Sequence, residues 1–228
     1  MKVRQLFDLD TCSYSYIIWN PNTLEGAIID PVLEQVNRDG ALIDQLGLKL
    51  KYLFETHIHA DHITGAGRLR QRFGAQIVVH ENAAISCADI LAKEGDVFYL
   101  GHEKVRVMHT PGHTNTDISY ITDEAVFTGD TLFVRDCGRT DFQQGDNRKM
   151  FDSLNSKLFM LPDDLTVFPA HDYKGFTSST IGEEKRFNQR LGVGRSFSEF
   201  AHIMDNLNLP QPKRIDVAVP GNLKCGEV

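Results

Sequence analysis

Apolar residues recur along this chain with two periods, and the switch between them lays out the elements. Stretches 3–9, 14–19 and 26–29 are rich in aromatic and β-branched residues, and the turn signal Asn20-Pro21-Asn22 parts the last two, so an antiparallel start is predicted. Asp30-Pro31 then opens a helical pattern: Val32, Val36, Ile43 and Leu46 lie on or near one face, and Gly47 closes it. The pattern predicts a short strand over 50–54, a helix over 64–73 ending at Gly74, and strands over 76–80, 97–100 and 104–109. Strands over 118–121 and 125–128 flank a turn at 122–124. Beyond them, 148–159, 183–191 and 198–207 carry helical spacing and 166–168 reads as a strand. The tail, with Pro210, Pro212 and Pro220, is expected to wrap the molecule with little regular structure. No internal repeat or low-complexity linker interrupts the series. Strands and helices mixed throughout predict sheets covered by helices in one α/β domain over 1–228, closed by a short helical and extended C-terminal segment.

The polar residues that break this pattern gather at strand ends. Thr56-His57-Ile58-His59-Ala60-Asp61-His62 follows the strand at 50–54, and three histidines and an aspartate in six residues is the mark of a metal site. His113 follows the strand at 104–109, Asp130 the strand at 125–128, and His171 the strand at 166–168. A rigid sheet commonly presents catalytic groups in this way. Seven candidate ligands serve one metal or two, and imidazole with carboxylate suits several transition ions. His80, His102 and His202 have no clustered partners, whereas His109, four residues before His113, is a lesser candidate for the metal's surroundings. Gly65-Ala66-Gly67 lacks the Lys-Ser/Thr ending of a phosphate loop and is read as a close helix–sheet approach.

Composition narrows the partners. Hydrophobic residues at 41% and charged residues at 24% are those of an ordinary globular chain. A net charge of -7 argues against nucleic acid as a partner while leaving room for a local basic pocket. No apolar run approaches the ~20 residues that span a bilayer, and the opening MKVRQLFDLD resembles neither a signal nor a transit peptide, so a cytoplasmic protein is expected. Cys12, Cys87, Cys137 and Cys225 are scattered and form no CxxC pair, so free thiols are expected. Nothing in the sequence points to an oligomeric state.

The order His57-x-His59-x-Asp61-His62, His113, Asp130, His171 resembles the metallo-β-lactamase superfamily. The resemblance implies an αββα sandwich, two mixed β-sheets flanked by helices, with metal at one edge. Residues 136–145 (DCGRTDFQQG), 169–175 (PAHDYKG), 206–210 (NLNLP) and 215–220 are similar to segments of persulfide dioxygenases. Membership of that family implies one Fe(II) per chain held by His57, His113 and Asp130, a 2-His-1-carboxylate face with open positions. It also implies glutathione persulfide and O₂ as substrates, oxidised to sulfite and glutathione. His59, Asp61, His62 and His171 would then surround the ligands, with Asp141 and Tyr173 extending the network. Glutathione carries two carboxylates, for which Arg139, Tyr173, Lys174 and Arg214 are the candidate partners. Cys137, beside that pocket, is read as a packing residue.

The neighbouring glyoxalase II family keeps the alternative open. There, His57, His59 and His113 would hold one zinc, Asp61, His62 and His171 a second, and Asp130 would bridge them for thioester hydrolysis. That family carries a larger helical C-terminal part, whereas only 57 residues (228 − 171) follow His171 here. A non-catalytic metal-binding scaffold is the remaining alternative, and the intact ligand set weighs against it.

Overall fold

Strands buried on both faces read as near-continuous apolar runs, and this is the state of the strands Ser13–Trp19, Glu25–Ile29, Gln76–His80, Ile118–Ile121 and Ala125–Gly129. The computed structural model describes residues 1–192 and 194–227. The first sheet places β1 (Lys2–Asp8), β2 (Ser13–Trp19), β3 (Glu25–Ile29), β4 (Lys49–Phe54), β5 (Gln76–His80) and β6 (Ile90–Ala92) side by side in that order. Its first three strands pair antiparallel and the rest parallel. The second sheet contains β7 (Val97–Leu100), β8 (Glu103–His109), β9 (Ile118–Ile121), β10 (Ala125–Gly129), β11 (Thr166–Pro169) and β12 (Ser179–Thr180), again in sequence order across the sheet. Only β10 and β11 are parallel.

The side-chain alternation of each strand divides the core. In β2, Tyr14, Tyr16 and Ile18 point between the sheets, while Ile17 and Trp19 point to the outer helices. Phe127 and Phe168 meet Tyr16 between the sheets, and Val126 and Val167 face the opposite helical layer. α1 (Val36–Gln45) and α2 (Ala66–Phe73) cover the first sheet through Ile43, Ala66 and Leu69. α3 (Asn147–Ser156), α4 (Ile181–Phe187) and α5 (Phe197–Asp205) cover the second through Met150, Leu154, Ile181 and Phe200. The four αββα layers are those implied by the resemblance.

Two buried phenols carry the inter-sheet core to the functional edge. Tyr120 donates to the Glu55 carbonyl at 3.0 Å, just before the histidine-rich loop, and Tyr16 donates to the Pro169 carbonyl, just before His171. A buried phenol needs such a partner, so each ring both fills the core and fixes a loop root.

Several elements differ from expectation. The predicted helix over 148–159 breaks at Lys157 (φ -124°, ψ -72°), and a 3-10 turn, Leu158–Met160, follows. The helix expected over 183–191 begins earlier, where Thr180 accepts from the Glu183 amide, and stops at Phe187 because Asn188 is extended. The tail, expected to lack regular structure, forms α6 (Ile215–Asn222) with Pro220 inside it. Burial of Ala218, Gly221 and Asn222 outweighs the poor local propensity.

The free-thiol expectation also fails for one pair. Cys87 and Cys225 form a disulfide whose Cα atoms are 6.0 Å apart although 138 residues separate them. Cysteine spacing along the chain is blind to such closure. Only Cys12 and the buried Cys137 are free. Cys225→Ser is expected to lower unfolding stability by about 2–4 kcal/mol through the larger conformational freedom of the unlinked chain. Urea denaturation under oxidising conditions measures this, and an unchanged midpoint would mean that the crosslink contributes nothing.

Candidate metal centre

The centre is assembled around Asp30, which follows β3 in a left-handed conformation (φ 49°). A residue with a Cβ holds such a φ at a cost, so the surrounding bonds must enforce it. Asp30 is 3% exposed and accepts from both the amide and the hydroxyl of Thr56, each at 2.7 Å. Since the Thr56 hydroxyl donates to Asp30, it accepts from His57 Nδ1 at 3.0 Å. Gly129 (φ 52°) lets this loop approach β10, because a Cβ there would lie 2.7 Å from Thr56.

His57, His113 and Asp130 converge, each offering a ligand atom within 4.8 Å of the others'. His113 Nδ1 donates to the Arg139 carbonyl at 2.7 Å, and its Nε2 lies 3.4 Å from Asp130 Oδ2. In both histidines Nδ1 is therefore the protonated nitrogen, and the Nε2 lone pair is left for a cation. Burial and the neighbouring His59 and His113 hold the His57 pKa well below its ordinary value, favouring the neutral form that binds metal. Burial opposes charge on His113 too, but Asp130 and Asp117 outweigh it and raise its pKa. Asp130 Oδ1 is buried with no hydrogen-bond partner. A carboxylate with one orphaned oxygen, converging with two oriented imidazoles, fits a divalent cation.

The other four histidine-rich candidates lie close by in different roles. His59 Nε2 sits 3.1 Å from Asp30 Oδ1 and 3.4 Å from Glu55 Oε2, an ion-pair contact without hydrogen-bond alignment. Burial opposes its charge, but Asp30 and Glu55 override this and raise its pKa well above normal. His62 turns Nδ1 onto Asp61 at 2.9 Å and leaves Nε2 buried without a partner. His171 Nδ1 faces the Cys12 carbonyl at 3.2 Å, and its Nε2 lies 3.7 Å from Asp61 and 3.6 Å from Asp130. The other two groupings of metal-ligand type are His59/Asp61/His62 and Asp30/Glu55/His59. The two triplets of a dinuclear zinc arrangement, His57/His59/His113 and Asp61/His62/His171, are not among the convergent groups of the described residues.

A cavity of about 450 Å³ opens onto His57, His113, Asp130 and His171. Its size falls within the range of small-molecule sites, roughly 300–1,000 Å³. Arg139 lines it, but its guanidinium is occupied: Nε and Nη2 pair with Asp141 at 2.6 and 2.7 Å, and Nη1 donates to the Pro210 carbonyl at 2.6 Å. It therefore latches the tail to the segment that orients His113. Asp141 serves that latch and is not among the cavity-lining residues. Tyr173 stacks on His171 at 5.6 Å, and its pKa is raised by desolvation and by Asp130 and Asp61, which keeps the hydroxyl protonated. Lys174 lines the mouth 3.8 Å from Asp136. Arg214 is outside the lining and pairs with Glu34 at 2.6 Å. The residue before it, Lys213, lines the cavity and has no ion-pair partner among the described residues.

Sequence reasoning also missed Asp30, Glu55 and Arg190. Asp30 stands at a strand end like the ligands, but Asp30-Pro31 reads more simply as a helix start. Arg190 reaches the cavity from after α4, pairing with Asp136 and donating to the Cys137 carbonyl at 2.7 Å. His109 does not approach the ligands; it stacks on His80 at 3.9 Å and contacts the Asn115 carbonyl. Cys137 is 1% exposed and burial pushes its thiol up to about 12, so it packs and does not react.

Among the described residues, no helix is long and apolar enough to cross a membrane. The metallo-β-lactamase superfamily model matches residues 12–171. The persulfide dioxygenases ETHE1, mitochondrial, of Mus musculus and Homo sapiens are each 44% identical to this chain, over 98% of it and 88% of theirs. The crystal structure of ETHE1 from Myxococcus xanthus superposes with a TM-score of 0.96 at 50% identity, covering 99% of this chain and all of that one. Fold, ligand order and near-complete coverage agree: the chain belongs to the persulfide dioxygenase family of the metallo-β-lactamase superfamily.

Proposed function

We propose that this protein is a mononuclear Fe(II) persulfide dioxygenase acting on glutathione persulfide in the cytoplasm, as one domain over 1–228. The convergence of His57, His113 and Asp130 carries the reading, because two imidazoles and one carboxylate leave coordination positions for both substrates. Ferrous iron there supplies the redox chemistry by which O₂ oxidises a thiolate-like sulfur, which zinc does not. Overall, glutathione persulfide, O₂ and water give glutathione and sulfurous acid, and the outer sulfur loses the electrons that O₂ takes up.

The chain's own residues prepare that reaction. Thr56 and the Arg139 carbonyl hold the two imidazoles with Nε2 inward. Burial opposes charge on Asp61, but His62 and His171 prevail and hold its pKa well below normal, so it stays ionised beside the centre. Tyr173 brings a neutral hydroxyl to the mouth as a donor. Lys213 and Lys174 are the cations best placed for the glutathione carboxylates, whereas Arg139 shapes the wall by holding Leu209 and Pro210. Carboxylate capture by Lys213 replaces the role expected of Arg214.

Metal analysis and oxygen uptake test this together. About one iron per chain and O₂ consumption with glutathione persulfide are expected, while about two zinc ions per chain with thioester hydrolysis would overturn the reading in favour of a glyoxalase II-like enzyme. Asp130→Ala is expected to abolish both iron binding and turnover. His59→Ala is expected to retain iron, and loss of iron from a folded His59 variant would make it a ligand. Lys213→Ala and Arg139→Ala are each expected to raise KM for glutathione persulfide several-fold with iron content unchanged. Unaltered steady-state kinetics in either variant would remove that residue from the substrate site.

A further inference from the structure

Asn222, at the end of α6, lies 160 residues beyond the histidine-rich loop yet is bound to its backbone. Its Oδ1 accepts from the Thr64 amide at 2.8 Å, and its Nδ2 donates to the carbonyls of His59 at 2.8 Å and His62 at 2.9 Å. The side chain is 4% exposed, so these three bonds are made away from water, where an unmade bond is costly. One carboxamide thus closes the loop between positions 59 and 64, immediately downstream of His57. No other side-chain type of this size offers two donors and an acceptor in one plane.

The surrounding backbone is built for this approach. A Cβ on Gly226 would lie 2.0 Å from the Thr64 carbonyl oxygen, and one on Gly67 would lie 2.7 Å from the Cys225 carbonyl oxygen. The Gly67 amide donates to that same Cys225 carbonyl at 2.9 Å. The disulfide to Cys87 anchors the segment three residues past Asn222. Upstream, the same tail forms the cavity wall at residues 209–213.

We propose that Asn222 is a positioning residue for the metal centre. It ties the tail that shapes the substrate wall to the loop that carries His57, so that metal affinity and substrate geometry depend on one buried amide. The proposal rests on the metal-centre reading above, but it holds for whichever divalent ion occupies the centre.

Asn222→Asp tests it with little change of volume, because the carboxylate keeps the acceptor for Thr64 and loses both donors. The expected variant is folded by circular dichroism and binds Fe(II) and Zn(II) about 10–100-fold more weakly. Its ferrous–nitric oxide electron paramagnetic resonance spectrum should change, and kcat should fall more than KM rises. A folded variant with wild-type affinity for both ions and an unchanged spectrum overturns the proposal. Loss of iron binding by wild-type protein that still binds zinc would instead count against the iron reading alone. Should the Asp variant not fold, hydrogen exchange on the wild type decides. Loading Fe(II) or Zn(II) should slow exchange in both 59–65 and 215–226, and a response confined to 59–65 overturns the coupling.

Discussion

The metal edge depends on one buried carboxylate. Asp30 sits in the left-handed region at the end of β3 and accepts two hydrogen bonds from Thr56. Without those bonds the conformation would be uphill, and without Asp30 the Thr56 hydroxyl would lose the acceptor that makes it an acceptor in turn for His57. The Oδ1 atom that accepts from the Thr56 amide also meets His59 Nε2. A strained backbone, a threonine and two histidines are thus set by one side chain that touches no ligand position itself.

That arrangement explains how a chain can carry seven ligand-type residues and still bring only three into the proposed iron-binding face. His59 is drawn toward Asp30 and Glu55, and His62 toward Asp61. Asp30 and Glu55, which hold no metal in the dinuclear arrangement, take up His59, and Asp61, which would hold one there, meets His62 instead. Charge on His59 is then balanced within the protein. The difference between one ion and two lies in which partner each imidazole faces, a matter of ångströms that leaves the ligand order untouched.

This also marks what could be read from the sequence. Ten of the twelve strands among the described residues and the order of the ligand-type residues were legible, since they rest on apolar runs and on the clustering of one chemistry at strand ends. The strands β6 and β12 were not, being three and two residues long with no pattern of their own. The partners of Arg139 and Arg214 were hidden for a different reason. Charge type is visible in a sequence, but its partner is not: Asp141 and the tail carbonyls occupy Arg139, and Glu34 draws Arg214 away. Lys213, one residue earlier in the same proline-rich tail, escaped notice because nothing local distinguishes it. The Cys87–Cys225 bond and the Asn222 contacts share this blindness, as both are closures over more than a hundred residues.

Those long closures impose an order on biosynthesis. The histidine-rich loop leaves the ribosome with residues 57–62, but the amide that bonds to its carbonyls arrives only with residue 222, and the sulfur that anchors that amide only with residue 225. Until residues 222–225 are made, the nascent chain carries its histidines without these two closures. An ion captured before residue 222 has joined the fold therefore meets a loop whose His59 and His62 carbonyls still lack their Asn222 donor.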